Sequence, residues 1–229
     1  MIPTLDTTFV LTSCARFDLL VETMLTFIEH NTAPIARYVV VEDSGDASVR
    51  DVLGGLPVDL DIIVNDPPIG QVPAIDRAYA TVRTPYVFHC EDDWRFLRGG
   101  FIEESRAVLD ARDDLSCVIG RRTGQNLAND AMVRVGPVER VGGVDVRVVP
   151  IDPTHHWGSY SFNPGLRRLA DWRRAGPFAA IGDEGDVSFR FKRLGMRTAH
   201  LDIPAYETTG WFRHVERAPV GRGATGRTE

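Results

Sequence analysis

Through the first hundred residues, short β-rich apolar runs alternate with segments whose apolar positions recur about every 3.6 residues. That alternation predicts a parallel sheet covered by helices. The expected strands are Thr8 to Thr12, Tyr38 to Val41, Leu60 to Val64 and Tyr86 to Cys90, each ending at a polar or acidic cluster. Between them, Phe17, Leu20, Val21, Met24 and Ile28 form one core-facing helical stripe. Ile75, Ala78, Tyr79 and Val82 form a second, behind Pro73, which suits a first helical turn. Phe101, Ser105, Val108 and Leu109 predict a further helix, and Cys117 to Ile119 a further strand.

Beyond that point the pattern loosens. Gly120 to Ala131 reads as a polar loop, and the alternating valines of Met132 to Pro150 predict a hairpin turning at Gly142-Gly143. An aromatic-rich segment, THHWGSYSFNPG, precedes a helix expected from about Pro164 to Ala175. A second helix, roughly Asp183 to Leu194, stops at Gly195 in a plausible C-cap. His200 is expected in or beside a strand, and the last dozen residues, rich in Gly, Arg and Thr, are expected to be mobile.

Composition adds bounds. With 229 residues, 43% hydrophobic and 25% charged, the chain can bury a core unaided, so disorder as the main state is excluded. One α/β unit spanning residues 1–216 is expected, with a tail from 217; residues 1–98 would form one half and 99–216 the other. Acidic side chains outnumber basic ones, 32 to 26, and a net charge of −6 argues against duplex nucleic acid as the main partner. Cys14, Cys90 and Cys117 form no CxxC pair, so neither a disulfide framework nor a zinc knuckle is indicated. No window approaches 18 uninterrupted apolar residues, and the start lacks a signal-peptide pattern; a cytoplasmic protein without an integral membrane segment is expected.

In an open parallel sheet, ligands bind outside the carboxyl ends of the strands. Here those ends are acidic: Glu42-Asp43 follow the second strand, Asp66 the third, and Glu91-Asp92-Asp93 the fourth. Converging carboxylates call for a cation, and hard oxygen ligands suit Mg2+ or Mn2+ better than zinc. Such ions bind through one or two carboxylates plus substrate phosphates, which makes a nucleoside diphosphate the natural third party. Neither GxGxxG nor GxxxxGK[ST] is present, which disfavours dinucleotide oxidoreductases and phosphate-loop ATPases.

With FVLTSCARFDLL, YVVVEDSGD, GQVPAIDRAYATVRTPYVFHCEDDW and IGDEGDVSFRFKRLGMRTAH, spread over residues 7 to 200, the sequence resembles nucleotide-sugar glycosyltransferases of the GT-A fold, most of all glycosyltransferase family 2. The resemblance implies an α/β fold with a Rossmann-like, mostly parallel sheet and an acceptor-side C-terminal part. It implies that Asp93 ligates the metal bridging the donor's diphosphate, with Asp92 near the ribose or the metal's waters; Glu91 stands where the family's DxD motif more usually opens with aspartate. Thr12, Ser13 and Arg16 fall along the nucleotide, Glu42 or Asp43 at the base, and Arg77 near the donor sugar or pyrophosphate. His214 resembles a late histidine that completes metal or phosphate coordination in some members.

Inverting transfer needs a carboxylate that takes the acceptor hydroxyl's proton. By resemblance, Glu184 in Asp183-Glu184-Gly185-Asp186 occupies that position, with Asp183 in reserve, although Asp183 also makes a good helix N-cap. His155, His156, Trp157 and Tyr160 lie between the donor half and this helix, where the acceptor is expected; interior packing is their other reading. The implied activity is metal-dependent, inverting sugar transfer from a uridine, guanosine or thymidine diphosphate sugar to a hydroxyl of an unidentified small molecule or glycan. A non-catalytic binding module is the alternative. A sugar-nucleotide pyrophosphorylase is the weaker one, because TSCARFD lacks the glycine-rich loop expected after the first strand.

Overall fold

The computed structural model describes residues 5–121, 134–154, 156–210 and Arg213. Strands β1 (Thr7–Ser13), β2 (Arg37–Glu42), β3 (Leu60–Val64) and β4 (Tyr86–Glu91) alternate with helices α1 (Phe17–His30), α2 (Val49–Leu53) and α3 (Gln71–Thr81). The short β5 (Trp94–Phe96), α4 (Phe101–Ala111), β6 (Leu115–Ile119), β7 (Val138–Val141), β8 (Val144–Val148) and β9 (Gly165–Arg168) follow. Then come α5 (Leu169–Ala175), a 3-10 turn at Phe178–Ala180, α6 (Glu184–Arg193), β10 (Arg197–Leu201) and β11 (Tyr206–Thr208).

Among the described residues, nine strands form one sheet in the order β3-β2-β1-β4-β9-β6-β10-β8-β7, and β11 pairs with β5 in a separate ribbon. β1 runs parallel to both β2 and β4. Only β8 and β9 run against the other seven. Central parallel strands are covered on both faces and read as unbroken apolar runs; accordingly every residue of β1 is buried. Helix α1 lays Leu20, Met24 and Phe27 on this sheet, where Phe27 meets Phe9 at 4.1 Å between ring centroids and Phe96 edge-on at 5.1 Å.

The expected helix from Pro164 is corrected in its first part. Gly165–Arg168 is strand β9, threaded antiparallel between β4 and β6, and the helix begins only at Leu169. Two strand edges facing one gap offer ladder hydrogen bonds on both sides, and this outweighs the local helical preference of LRRLADW. Gly165 permits the fit: a Cβ there would stand 2.3 Å from the Val118 carbonyl oxygen. Most of the polar loop expected at Gly120 to Ala131 lies outside the described residues. The hairpin does turn at Gly142-Gly143, both with positive φ.

The β5–β11 ribbon hangs the chain's late segment beside β4. Its anchor is Tyr206, whose hydroxyl accepts from the Gly120 N–H at 2.5 Å and donates to the Pro164 carbonyl at 2.6 Å. Tyr206→Phe strands both buried partners, at about 1–3 kcal/mol for each group left unpaired. Together the two cost about 2–6 kcal/mol, so at about 2–4 °C per kcal/mol for a chain of this size a fall in melting temperature of roughly 4–24 °C is expected; differential scanning calorimetry measures it.

Candidate active site

The carboxyl ends of β1, β2 and β4 lie side by side, because the ladder pairs Ser13 with Glu42 and Thr12 with Glu91. Five carboxylates, Glu42, Asp43, Glu91, Asp92 and Asp93, stand at or just past these strand ends, each with its own partners. Glu42 is fully buried; its Oε1 accepts from the backbone N–H groups of Ala15 and Ser44, both at 2.9 Å. Ala15 has φ +58, a left-handed conformation that alanine adopts at a cost. Its bond to Glu42 holds that turn, which delivers Arg16 to the acidic cluster.

Asp43 accepts from Asn65 Nδ2 (2.9 Å) and from the N–H groups of Ile69 (2.8 Å) and Gly70 (2.7 Å), fastening the loop that opens α3. Arg77 donates to the other end of the same Asn65 amide. The two carboxylates expected at the nucleotide base thus hold the loops that frame this edge, with Arg77 tied into the same network.

Asp92 is 1% exposed on its side chain and is enclosed by donors. Its Oδ2 accepts from Ser13 Oγ at 3.1 Å and from Arg16 Nε at 3.2 Å, and Oδ1 accepts from Arg16 Nη2. Arg16 Nη1 also donates to Asp93 Oδ2 at 3.1 Å and to the Arg213 carbonyl at 3.1 Å. Burial raises the Asp92 carboxyl to about 6, against the opposing pull of Arg16. Thr23 Oγ1 donates to the Asp92 carbonyl and accepts from the Trp94 N–H, fixing the backbone here. Thr209 donates to the Asp93 carbonyl at 2.8 Å, and Gly210 packs so closely that an added Cβ would stand 2.4 Å from the Asp93 Cβ.

Glu91 Oε1 accepts from Gln71 Nε2 at 2.8 Å. Burial, reinforced by Asp93, Glu184 and Asp92, pushes its carboxyl well above the ordinary range. Glu184 therefore lies within electrostatic reach of the cluster. It occupies the first turn of α6, and its Oε1 accepts from Ser161 Oγ and the Phe162 N–H, both at 2.8 Å. Burial raises the Glu184 carboxyl, while those two donors work the other way. Asp183 caps the helix instead: it accepts from the Asp186 N–H at 3.1 Å, and Asp186 returns the bond in a capping box.

Glu184 also borders a cavity of about 80 Å3, lined with Arg121, Trp157, Asn163, Thr198 and His200. His156 stacks on Phe189 at 4.7 Å with its Nδ1 3.7 Å from Asp186. The Tyr160 ring turns inward, 2% exposed and stacked on Phe191 at 4.4 Å. Thr12 is buried at the end of β1. His155 and His214 lie outside the described residues.

Two supports escape the sequence reading. Fully buried Arg167 on β9 donates to the Tyr160 hydroxyl and to the carbonyls of Ser161 and Asn163, bracing the loop that holds Glu184. Asp76 on α3 accepts from Trp172 Nε1, Phe178 N and Ala179 N, securing the turn before α6. The only available signal for Arg167 is an arginine inside an apolar-flanked run.

The mixed, mostly parallel nine-stranded sheet flanked by helices is a GT-A-type fold. Among solved structures, a mannosyltransferase from Pyrobaculum calidifontis, PcManGT, in complex with GDP-Man and Mn2+, is similar over 91% of this chain, with TM-score 0.61 and 13% identity. TarS from S. aureus is similar over 88% (TM-score 0.60, 13% identity), as is GalNAc-T7 with UDP, GalNAc and Mn2+ (88%, TM-score 0.61, 10% identity). This chain spans 58%, 36% and 43% of those three proteins, respectively. No protein-family model matches the sequence, and no curated protein matches it either. No helix among the described residues is long and apolar enough to cross a membrane.

Proposed function

We propose that the protein is a metal-dependent, inverting glycosyltransferase resembling family 2, moving a hexose from a nucleoside diphosphate to an acceptor hydroxyl. The observation that carries this reading is the acidic edge where β1, β2 and β4 end side by side, in a fold shared with proteins solved with GDP-Man or UDP and Mn2+. The Glu91–Asp93 segment would supply the donor-phosphate site and Glu184, opening α6, the candidate base. Among the described residues no three His, Cys, Asp or Glu side chains are grouped to cage an ion. Two hard carboxylates nonetheless fit Mg2+ or Mn2+ once substrate phosphates complete the shell, and the guanidinium already seated on them marks a place built for positive charge.

In this reading Asp93 holds the ion, Asp92 supports it beside the ribose, and Thr12, Ser13 and Arg16 follow the nucleotide. When bound, the ion supplies neutralisation of the departing diphosphate. Glu184 takes the acceptor's proton as the acceptor oxygen bonds to the anomeric carbon, and the carbon–phosphate oxygen bond breaks with its electron pair leaving on the diphosphate. Trp157 and His156 border the acceptor side. Ser161 and the Phe162 N–H keep Glu184 aimed.

The test is thermal unfolding against UDP-, GDP- and dTDP-sugars with and without Mn2+. A ligand at about 100 times its dissociation constant adds about 2.7 kcal/mol, hence roughly 5–10 °C for a chain this size. A shift that needs both Mn2+ and one nucleotide is expected. No shift with any donor at saturation overturns the reading.

A further inference from the structure

The acidic pair already shares one positive charge supplied by the protein itself. Arg16 places three N–H groups on it: two on Asp92, one of them at 3.2 Å, and one on Asp93 Oδ2 at 3.1 Å. The geometry is the planar fork that guanidinium presents to carboxylates. The side chain is 16% exposed, so the pairing is largely shielded from water and salt. Burial disfavours its charge, but Asp92 and Asp93 outweigh that and hold it protonated. Its backbone is not free to drift, because the preceding Ala15 turn is held by Glu42 and α1 starts at Phe17.

A divalent ion on Asp93 would share that carboxylate with the Arg16 guanidinium. Two cations on one carboxylate repel, so each weakens the other's hold unless a further anion arrives. The donor's diphosphate is such an anion. We infer that Arg16 is an internal competitor of the metal: it occupies the Asp92–Asp93 pair in the free protein, is displaced from Asp93 when the ion binds, and then pairs with the donor's diphosphate. The ion would thus bind weakly alone and firmly together with the nucleotide. This inference rests on the metal-dependent reading above.

The experiment titrates the full chain with Mn2+ alone at pH 8, reading free Mn2+ by its electron paramagnetic resonance signal, and compares the wild type with Arg16→Gln and Arg16→Lys. Removing the competitor is expected to tighten Mn2+ binding by about tenfold in Arg16→Gln, with Arg16→Lys between the two. Adding Asp93→Asn to Arg16→Gln should erase the gain. At saturating Mn2+, the affinity of Arg16→Gln for UDP or GDP should fall, opposite in sign to its gain for the ion. Unchanged or weaker Mn2+ binding in a folded Arg16→Gln, with wild-type binding measurable, overturns the competition and leaves the metal site standing. If neither protein binds Mn2+ up to 10 mM, with or without UDP or GDP, the inference and the metal-dependent reading fall together. Should Arg16→Gln fail to unfold cooperatively, Arg16→Lys decides: it keeps the charge but loses the fork, and Mn2+ binding no tighter than wild type rejects the inference.

Discussion

Glu184→Gln is expected to lower turnover by roughly 10^2- to 10^4-fold, the usual contribution of a positioned general base, while donor affinity stays within about twofold of wild type. Glutamine preserves the shape and keeps an oxygen to accept from Ser161 and the Phe162 N–H, so the loop stays in place. What it loses is the ability to take a proton. The pH dependence carries a second signature. Burial raises the Glu184 carboxyl above its ordinary value, so the acid limb of the wild-type rate should lie above the normal carboxylate range. A raised carboxylate contributes stability below its unfolded value and loses it as pH rises through the folded one. Glu184→Gln should therefore melt higher than wild type at neutral pH and show no such advantage at pH 4. Near-normal turnover in the variant would move the base elsewhere; scanning calorimetry at two pH values checks the stability half independently.

Asp93→Asn is expected to remove the Mn2+-dependent part of donor binding. Altering a residue that merely supports a metal ligand costs roughly 10- to 100-fold in affinity, and losing the ligand itself should exceed that. The substitution is nearly isosteric, which matters because Gly210 leaves no room beside this side chain. Its main-chain bond from Thr209 is untouched, so the β5–β11 ribbon should persist. Calorimetric titration with nucleotide, with and without Mn2+, reads the outcome: wild type and variant should converge without the ion and diverge with it. Equal donor affinity in both, with Mn2+ present, would remove Asp93 from the metal site.

The parallel half was legible because its strands are buried on both faces and carry their signal locally. The run YVVV announces β2, and the stripe from Phe17 to Ile28 announces α1 without any knowledge of neighbours. The start of α6 was equally readable, since a capping box is written in adjacent residues. β9 was not, because its cause lies in β4 and β6, about 80 and 50 residues earlier, and because a buried arginine disguises it as a solvated helix face. The three-residue strands β5 and β11 are too short to carry a period of their own. In the site, the acidic edge was visible from strand ends alone. The ion pair between Arg16 and the two aspartates, 76 and 77 residues apart, was not.

The insertion of β9 bears on how the chain must be made. While residues 1–98 emerge during synthesis, β3, β2, β1 and β4 can assemble, but β4 then presents a bare edge whose native partner is more than 70 residues from appearing. Unpaired edges recruit whatever strand is nearest, including those of other nascent chains. β6 arrives earlier, but in the native sheet it reaches β4 only through β9. The late segment that carries Gly165 to Arg168 therefore acts as the keystone of the sheet, and the burden on cellular chaperones should concentrate in the interval before it is translated.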